Sequence, residues 1–540
     1  MTVPSLHGDT RAFVSANRRL GRCIAVLAFA AGLACAGALG ADLYHAGDFD
    51  VRWDNTLQYS AAFRLFPRDD FLVSYSANND DGDRNFSPGL ISNRLDALSE
   101  LELTDGDFGL RLSAAAWYDS VYDQRNDNDS ARTFNPFSVP HNEFTRAVRV
   151  LHGGDVQLMD AFVHGSFDVA DIPVSFRIGR YTLLWGESVF FGANGIAGGQ
   201  APTDDIKEFE QPSAYSRNIF LPVWQASAVV QPTENIAVSL YYQFQWRKDQ
   251  FPGSGSYFSY FDYLDQGGER YILPYFIGLY QYFYRIRDVR APSSGQFGVT
   301  LLLNSPAFNY GFYALRFNAK EPQIYLTRTF GGRGAGTYQL VYPTGIELYG
   351  ASFSTYLGNT NLAGELSGRR NMPLVSQAIF VPPGMAADAS EHPLYAVGDT
   401  LHAQISTENT FSSTALWDRA DLTAELAAND RLNVAKNPSA LDRSRTHFAL
   451  AFQASLQPQY FEVLPGLDLS VPIGFGYGLI GRSSTDDTQN AGAGNFEIGV
   501  STKFRTVWQG SLTYTRFLGS PQRQPLADRD FVLLSFQRTF

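Results

Sequence analysis

Apolar and polar residues alternate along the segment from Phe49 to Leu65. Most odd positions are apolar or aromatic, whereas the even positions include Asp50, Arg52, Asp54 and Arg64. Successive side chains of a strand point to opposite faces, so the pattern predicts a strand with one apolar and one charged face. Its 17 residues are about three times the usual strand length. Such a length is typical of a tilted strand that crosses a bilayer, which needs roughly 9–11 residues plus its ends.

The same alternation recurs in segments that extend to the end of the chain. Eight connections between these segments are short and contain Gly, Pro, Asp or Asn, whereas nine are longer. Alternating short and long connections are typical of outer-membrane barrels, which have short periplasmic turns and long extracellular loops. The pattern predicts an all-β fold, a transmembrane antiparallel β-barrel of about 18 strands, with 16 or 14 strands as alternatives. The expected strands are 49–65, 90–104, 108–122, 155–169, 174–185, 219–230, 236–247, 296–304, 310–318, 345–357, 360–369, 400–411, 416–429, 445–456, 467–480, 494–504, 510–518 and 531–540.

The last segment, Phe531–Phe540, ends the chain on an aromatic residue. Leu534 and Phe536 share the face of Phe540, because alternate residues of a strand point the same way. The segment resembles the terminal strand that outer-membrane barrels present to their assembly machinery, although Arg538 stands where an aromatic residue is usual. We therefore expect the barrel-assembly machinery to recognise Phe540. We also expect the first and last strands to pair and close the barrel.

Residues 1–40 have the features of a cleaved secretory signal peptide. A basic stretch precedes an apolar run from Cys23 to Leu39, and small residues that suit a cleavage site end the run. Residues 41–540 are then expected to form a single outer-membrane barrel domain. Removing the leader, which holds four Arg and one Asp, changes the net charge from −12 to −15. This charge argues against nucleic acid as a partner, and the loss of Cys23 and Cys35 leaves no thiol for disulfides.

The charged face of each strand is expected to line the inside of the barrel. So many charges in a sealed protein core would be prohibitive without paired partners, whereas in a water-filled lumen they cost little. The outer face would contact the lipid and lipopolysaccharide of the outer membrane, with Trp185 and Trp246 among its interfacial aromatic residues. The residues expected to line the lumen and set its selectivity are Arg52, Asp54, Arg64, Arg94, Asp96, Glu100, Arg111, Asp160, His164, Arg177, Glu365, Glu425 and Glu497.

The connection 186–218 is rich in glycine and in charged residues. It follows the fifth expected strand, where porin-like barrels often fold a loop inward to narrow the pore. On this interpretation its charges set selectivity together with the lumen wall. An ordinary surface loop is an equally good interpretation of the same residues. The charged residues of the expected constriction are Glu187, Asp204, Asp205, Lys207 and Glu208.

The connection 248–295 is unusually aromatic, with 13 aromatic residues between positions 251 and 284. A freely solvated loop is rarely this apolar. One hypothesis is a lid that offers aromatic surface to an apolar substrate. The other, which we favour for most of the rings, is a loop that packs on itself or on the barrel rim. The candidate lid residues are Tyr257, Phe258, Tyr260, Phe261 and Tyr263.

The loop around Asp80, Asp81 and Asp83 is acidic and rich in amides. Carboxylate and amide oxygens suit calcium, but the spacing is not that of an EF-hand. Solvated turns are the favoured interpretation, and weakly bound Ca²⁺ is the alternative. No other cofactor is expected.

The histidines are scattered without metal-ligand spacing, and the sequence contains neither G-x-S-x-G nor H-E-x-x-H. His152 and Asp155 lie close in sequence, but an acid–base pair requires proximity in space. An outer-membrane enzyme therefore remains a minority hypothesis.

Short motifs along the chain resemble those of one proteobacterial family. They are Asp80–Phe86, Ser92–Asp96, Ser99–Leu101, Ile178–Arg180, Trp185–Glu187, Gly364-Glu365 with Arg369, Asn371 and Pro373, and Asp399–His402. With these motifs the chain is similar to the outer-membrane barrel family known as domain of unknown function thirteen-oh-two. The resemblance spans most of 41–540 and implies an outer-membrane location and, in some members, a neighbouring inner-membrane exporter. It implies no catalytic residues.

These features predict an outer-membrane channel or transporter that passes or exports a small hydrophobic or aromatic molecule. The resemblance adds an inner-membrane exporter as a candidate partner. The alternatives are a general diffusion porin and an outer-membrane enzyme such as a lipase or a protease.

Overall fold

Eighteen antiparallel strands form a closed barrel in a computed structural model of the chain, which describes residues 42–275, 279–329, 334–385, 388–486 and 489–540. The expected signal peptide lies outside these residues. Each strand pairs with its neighbours in the chain, and the prediction of an 18-stranded all-β barrel is confirmed. The strands are β1 Phe49–Arg64, β2 Gly89–Asp105, β3 Phe108–Asp119, β4 Gly154–Val169, β5 Ile172–Tyr181, β6 Val223–Thr233, β7 Ile236–Gln243, β8 Gln296–Asn304, β9 Asn309–Phe317, β10 Ile346–Leu357, β11 Thr360–Pro373, β12 Val397–Phe411, β13 Arg419–Arg431, β14 Phe448–Leu464, β15 Leu467–Ser470 with Ile473–Ile480, β16 Ala493–Phe504, β17 Trp508–Gly519 and β18 Phe531–Thr539.

The first and last strands close the barrel. Strand β18 pairs along its whole length with residues 56–64 of β1, with Tyr59 opposite Phe536 and Phe63 opposite Val532. Beyond the end of β18, the Phe540 amide donates to the Asn55 carbonyl at 2.8 Å. A short additional strand, Asp42–Ala46, pairs with the beginning of β1. The seam therefore uses the residues at both ends of the described barrel chain.

The two faces of the wall differ in polarity. In β12, Leu401 and Ile405 are exposed on the outside, whereas His402, Gln404 and Ser406 are buried on the inside. Large apolar side chains are exposed on the outer face of strands all around the barrel. They include Tyr59, Phe63, Leu240, Tyr242, Phe297, Val299, Phe312, Leu366, Leu512, Leu534 and Phe536.

The turns at one end of the barrel, which we call the short-turn end, are tight. Between β4 and β5, Ala170 and Asp171 have φ values of +50° and +63°. Two consecutive left-handed residues make a type I′ turn, whose twist matches that of the flanking strands.

The opposite end, the long-loop end, carries short helices and a second sheet. Five strands from three loops form this sheet: Arg270–Pro274, Tyr280–Arg285, Gln323–Arg328, Gly336–Val341 and Ile379–Phe380. This sheet is absent from the sequence prediction above, because its strands are short and two of its four pairings join strands of different loops. In the described part of the chain no helix is long and apolar enough to span a membrane. The α-helices are Asp70–Tyr75, Asp81–Arg84, Arg146–Val148 and Asp205–Glu210; 3₁₀-helices are Ser120–Asp123, Ile196–Gly199, Ser216–Asn218 and Pro438–Ala440; Arg149–Gly153 is a π-helical turn.

Candidate functional site

The loop between β5 and β6, residues 182–222, extends into the barrel and contacts the far wall. Ile196 near its tip is fully buried and packs with Tyr241, Leu315 and Leu348 on the inner faces of β7, β9 and β10. Trp185 lies in the same cluster, 5.0 Å from the Tyr241 ring between centroids. This position excludes Trp185 from the interfacial girdle expected above.

Two glutamates of the far wall bind the backbone of this loop. Glu365 of β11 accepts hydrogen bonds from the amides of Glu187 at 2.8 Å and Ile196 at 2.9 Å. Glu425 of β13 accepts from the amides of Val189, Phe190 and Phe191, at 3.2, 2.5 and 2.9 Å in that order. The segment 186–196 is therefore attached to strands that lie about halfway around the barrel.

Arg369 of β11 strengthens the same attachment. Its Nη2 donates to the carbonyls of Ala193, Asn194 and Gly195 at 3.0, 2.7 and 2.9 Å. The Asn194 side chain lies 3.0 Å from Nδ1 of His402 and donates to Oε1 of Gln404 at 3.1 Å. Asn194 and Gln404 belong to none of the sequence motifs described above. For Arg369, its place in the family-like motif is the available sequence signal.

The inward loop lies between two cavities of the lumen. One, of about 210 Å³, lies towards β14–β17 and is rich in aromatic side chains. The other, of about 620 Å³, lies towards β1–β4 and contains charged side chains of both signs. Rings that line the first cavity are Phe190, Phe191, Phe209, Phe220, Tyr260 and Phe517, and charged groups that line the second are Arg94, Asp96, Glu100, Asp204, Lys207 and Glu210.

The expected constriction charges occupy different positions along this loop. Asp205 and Glu208 line the aromatic cavity, whereas Asp204 and Lys207 line the charged one and lie 3.8 Å apart. Burial, followed by repulsion from Asp486 and Asp249, raises the pKa of Glu208 to about 7. Burial, followed by repulsion from Glu408, raises the pKa of Glu187 to about 7. These groups titrate near neutrality, so the charge of the loop changes with pH.

Several expected lumen residues form ion pairs along the wall. Arg94 pairs with Asp96 at 2.7 Å, and Arg111 pairs with Glu100 at 2.5 Å and with Asp160 at 3.5 Å. The further pairs and contacts of this group are Arg52 with Asp54 at 2.6 Å, Arg177 over the Phe162 ring at 4.8 Å, His164 beside the Phe162 ring at 5.9 Å, and Glu497 hydrogen-bonded to Ser213.

Arg64 differs from the expectation that it faces water in the lumen. Its side chain is fully buried and lies 2.8 Å from Asp83 and 2.9 Å from Asp528. It also donates to the carbonyl of Phe86 at 2.8 Å. Arg64 is shielded from water because β1 ends at the long-loop end, where the loops 65–88 and 520–530 fold over its side chain. Glu425 differs too, because its carboxylate is buried against the inward loop.

The candidate lid aromatics divide into packed and partly exposed rings. Tyr257 and Phe258 are buried with Phe86, Phe144 and Phe531 in a cluster that joins four loops and the strand ends. This burial leaves Tyr257 and Phe258 little free surface for a substrate, although both border the charged cavity, and their lid role stays a prediction. The remaining rings are half-buried: Tyr260 lines the aromatic cavity, and Phe261 packs between Tyr260 and Tyr263. Trp246 also packs at the long-loop end, with its ring centroid 4.8 Å from that of Tyr342. It therefore lies outside the interfacial girdle expected above.

His152 has a structural environment. Its Nε2 accepts a hydrogen bond from the Gly253 amide at 3.0 Å, and its ring stacks on Tyr122. Burial, followed by the charge of Arg94, lowers the pKa of His152 to about 3, so the imidazole is neutral. Asp155 is exposed and accepts from the neighbouring Val156 amide instead of orienting the ring.

The acidic loop is buried rather than solvated. Carboxylate oxygens of Asp80, Asp81 and Asp262 lie within 4.8 Å of one another, and all three residues are buried. Asp83 is directed to Arg64 instead. Calcium binding by Asp80, Asp81 and Asp83 stays a prediction, with Asp262 as the residue that the fold places beside the first two.

This carboxylate cluster predicts that the long-loop end is more stable at acidic pH. Burial, followed by repulsion from Asp80, raises the pKa of Asp262 to about 7, and burial raises that of Asp81 strongly. The folded state therefore retains protons that the unfolded chain releases near pH 4, and stability falls as pH rises from about 4 to 7. Proteinase K cleavage at increasing urea, normalised to denatured chain, should show more protection at pH 5 than at pH 8. Asp262→Asn should weaken this difference and the exposed control Asp105→Asn should keep it; equal protection at both pH values in the unmodified protein would contradict the prediction.

Solved structures that match this chain at low sequence identity include the following three. OccAB4 of Acinetobacter baumannii has a TM-score of 0.43 and 8% identity, covering 91% of this chain and 98% of its own. OpdK of Pseudomonas aeruginosa, solved with vanillate, has a TM-score of 0.39 and 11% identity, with the same coverages. The outer membrane channel DcaP of Acinetobacter baumannii has a TM-score of 0.37 and 9% identity, covering 93% of this chain and 100% of its own. Values this low assign neither a substrate nor a mechanism to this chain.

The sequence comparisons give a family but no characterised relative. No curated protein matches the chain in sequence. A family match extends over residues 22–540, nearly the whole length, and agrees with the resemblance seen in the motifs. The chain belongs to the family described as "Protein of unknown function (DUF1302)".

Proposed function

We propose that this protein is an outer-membrane channel that passes a small hydrophobic or aromatic molecule. The observation that carries the proposal is a closed barrel with an apolar outer face and a polar lumen that contains a ring-lined cavity. A bilayer stabilises such an outer surface, because lipid tails cover apolar side chains and the closed sheet leaves no unpaired strand edge. The short-turn end then faces the periplasm and the long-loop end faces outwards.

The proposed substrate class follows from the aromatic cavity. Phe190, Phe191 and Phe220 belong to the inward loop, whereas Phe517 comes from the wall opposite. Convergent rings offer apolar contact and edge or face packing to an aromatic molecule. Asp205 and Glu208 line the same cavity, and above the pKa of Glu208, which burial raises to about 7, the ionised carboxylates disfavour anionic aromatics. The favoured solutes are therefore neutral or cationic. Cooperation with an inner-membrane exporter is part of the proposal on the family resemblance alone.

Planar-bilayer recording tests this function. The purified protein should give discrete conductance steps, and 4-hydroxybenzyl alcohol should interrupt the current more often than xylitol at equal concentration. Phe209→Ala should reduce the interruptions by roughly tenfold if the ring contributes about 1–1.5 kcal/mol to contact with the solute. Equal effects of both solutes would support a general diffusion porin, and absence of conductance would overturn the channel proposal.

A further inference from the structure

We propose that Glu365 and Glu425 are positioning residues that hold the segment 186–196 across the lumen and thereby set the conductance of the channel. The inference rests on the proposed channel function. In this role the two wall carboxylates hold the constriction in place and do not themselves contact the solute.

The first support is the number of donors that converge on the two carboxylates. Glu365 accepts two loop amides and, at 2.9 Å, the side-chain amide of Gln404, while Glu425 accepts three loop amides. Charge-assisted bonds of this kind are roughly twice as strong as neutral ones. Among the described residues the five loop amides have no backbone acceptor to replace the carboxylates, so the loop conformation depends on the two glutamates.

The second support is burial. Glu365 is 7% exposed, Glu425 1% and Arg369 4%. Buried charges are unfavourable unless they are paired and hydrogen-bonded. The loop supplies most of these partners, donating amides to the glutamates and carbonyls to Arg369. The wall therefore favours the inserted loop, because withdrawal would leave three charged groups to be solvated by the narrow lumen alone.

The third support is the close approach of the loop backbone. A Cβ atom on Gly186 would lie 2.2 Å from Oε2 of Glu365, and one on Gly195 would lie 2.4 Å from Oε1. Gly186 also has a φ of +92°, a conformation that other residues rarely adopt. Both ends of the segment therefore need glycine for the carboxylate to reach the backbone.

The position of the segment explains why it controls conductance. Phe190, Phe191 and Asn194 form one side of the aromatic cavity, and the continuation of the loop separates that cavity from the charged one. Release of the segment would join the two spaces. The lumen would then be wider, and its aromatic lining would be incomplete.

The test compares single-channel conductance in planar bilayers among matched variants. Glu365→Gln and Glu425→Gln keep side-chain volume but place an NH₂ group where a loop amide must donate. Two donors then face each other, and the attachment of the loop to the wall is weakened. Each should raise the conductance about two-fold and weaken the block by 4-hydroxybenzyl alcohol, because a wider pore has less contact with the solute. The control is Asp421→Asn, on the same strand and face as Glu425, whose partners are Arg419, Thr410 and Gln459. It should keep the conductance of the unmodified protein.

Folding is separated from positioning by a second variant. Gly186→Ala adds a Cβ atom that clashes with the Glu365 carboxylate and so disrupts the same contact from the loop side. It leaves every strand pair unchanged, so heat-modifiable migration in electrophoresis should show an intact barrel. Raised conductance in this variant supports the proposal even where a glutamate variant fails to fold. Unchanged conductance in intact Gly186→Ala and Glu425→Gln barrels overturns it. An unmodified protein without conductance would instead overturn the proposed function.

Discussion

Replacing Arg64 with Met will lower the free energy of unfolding of the long-loop end by about 3–5 kcal/mol. The guanidinium lies between Asp83 and Asp528 and has no contact with solvent. Methionine fills much of the space but removes the cation that contacts both carboxylates, leaving Asp83 with the more distant Arg529 at 3.9 Å and Asp528 with the Asp69 amide. An uncompensated buried charge is among the most destabilising changes a single substitution can cause.

The matched control is Arg52→Met on the same strand and the same face. Arg52 pairs with Asp54 in an exposed position at the short-turn end, and exposed pairs contribute roughly 0–1 kcal/mol. Urea titration in micelles, followed by proteinase K cleavage of the loops, measures both variants. Equal urea midpoints for the two variants would contradict the prediction, because they would show that the buried Arg64 pair stabilises the protein no more than the exposed Arg52 pair.

Replacing Tyr257 with Ala will lower stability by about 3–5 kcal/mol, because large-to-small changes lose buried area and leave a cavity. The ring is 1% exposed, packs 5.5 Å from Phe86 and 5.1 Å from Phe258, and lies in the cluster that joins four loops. The loss should appear as earlier cleavage of the loops in urea. The block of the channel by 4-hydroxybenzyl alcohol should remain in barrels that stay folded.

Phe261→Ala is the control for this prediction. Phe261 is half-buried and contacts Tyr260 and Tyr263 rather than the central cluster, so its removal should cost clearly less. If Tyr257→Ala keeps full stability but loses the block by 4-hydroxybenzyl alcohol, the stability prediction is wrong. That result would support the lid hypothesis for the Tyr257 ring.

The barrel wall could be predicted from the sequence because its information is local. Alternation with a period of two follows from strand geometry alone, and the segment 296–304 coincides with β8 as observed. The second sheet could not be predicted in this way. Its strands are short, and Tyr280–Arg285 pairs with Gly336–Val341 from another loop. Pairing between loops is decided by their position above the barrel.

The candidate site shows the same limit. Glu425 is recognisable as an inward residue from its strand position, but its partner Phe190 lies 235 residues away in the chain. No spacing rule joins them. Arg64 lies on the lumen face of β1, but this face extends past the water-filled part of the lumen. Strand position alone does not reveal where the water-filled part ends. Whether a charge there is solvated depends on which loops fold over it.

The five-stranded sheet has a consequence for how this protein can diversify. Surface loops usually tolerate insertions and deletions better than the strands they connect. Here the strand Gln323–Arg328 pairs in parallel with Ile379–Phe380, and Tyr280–Arg285 pairs in parallel with Gly336–Val341. One added residue within such a strand would reverse its side-chain faces and disturb its pairing with another loop. Length variation should therefore concentrate between these strands, and the three loops should change as one unit.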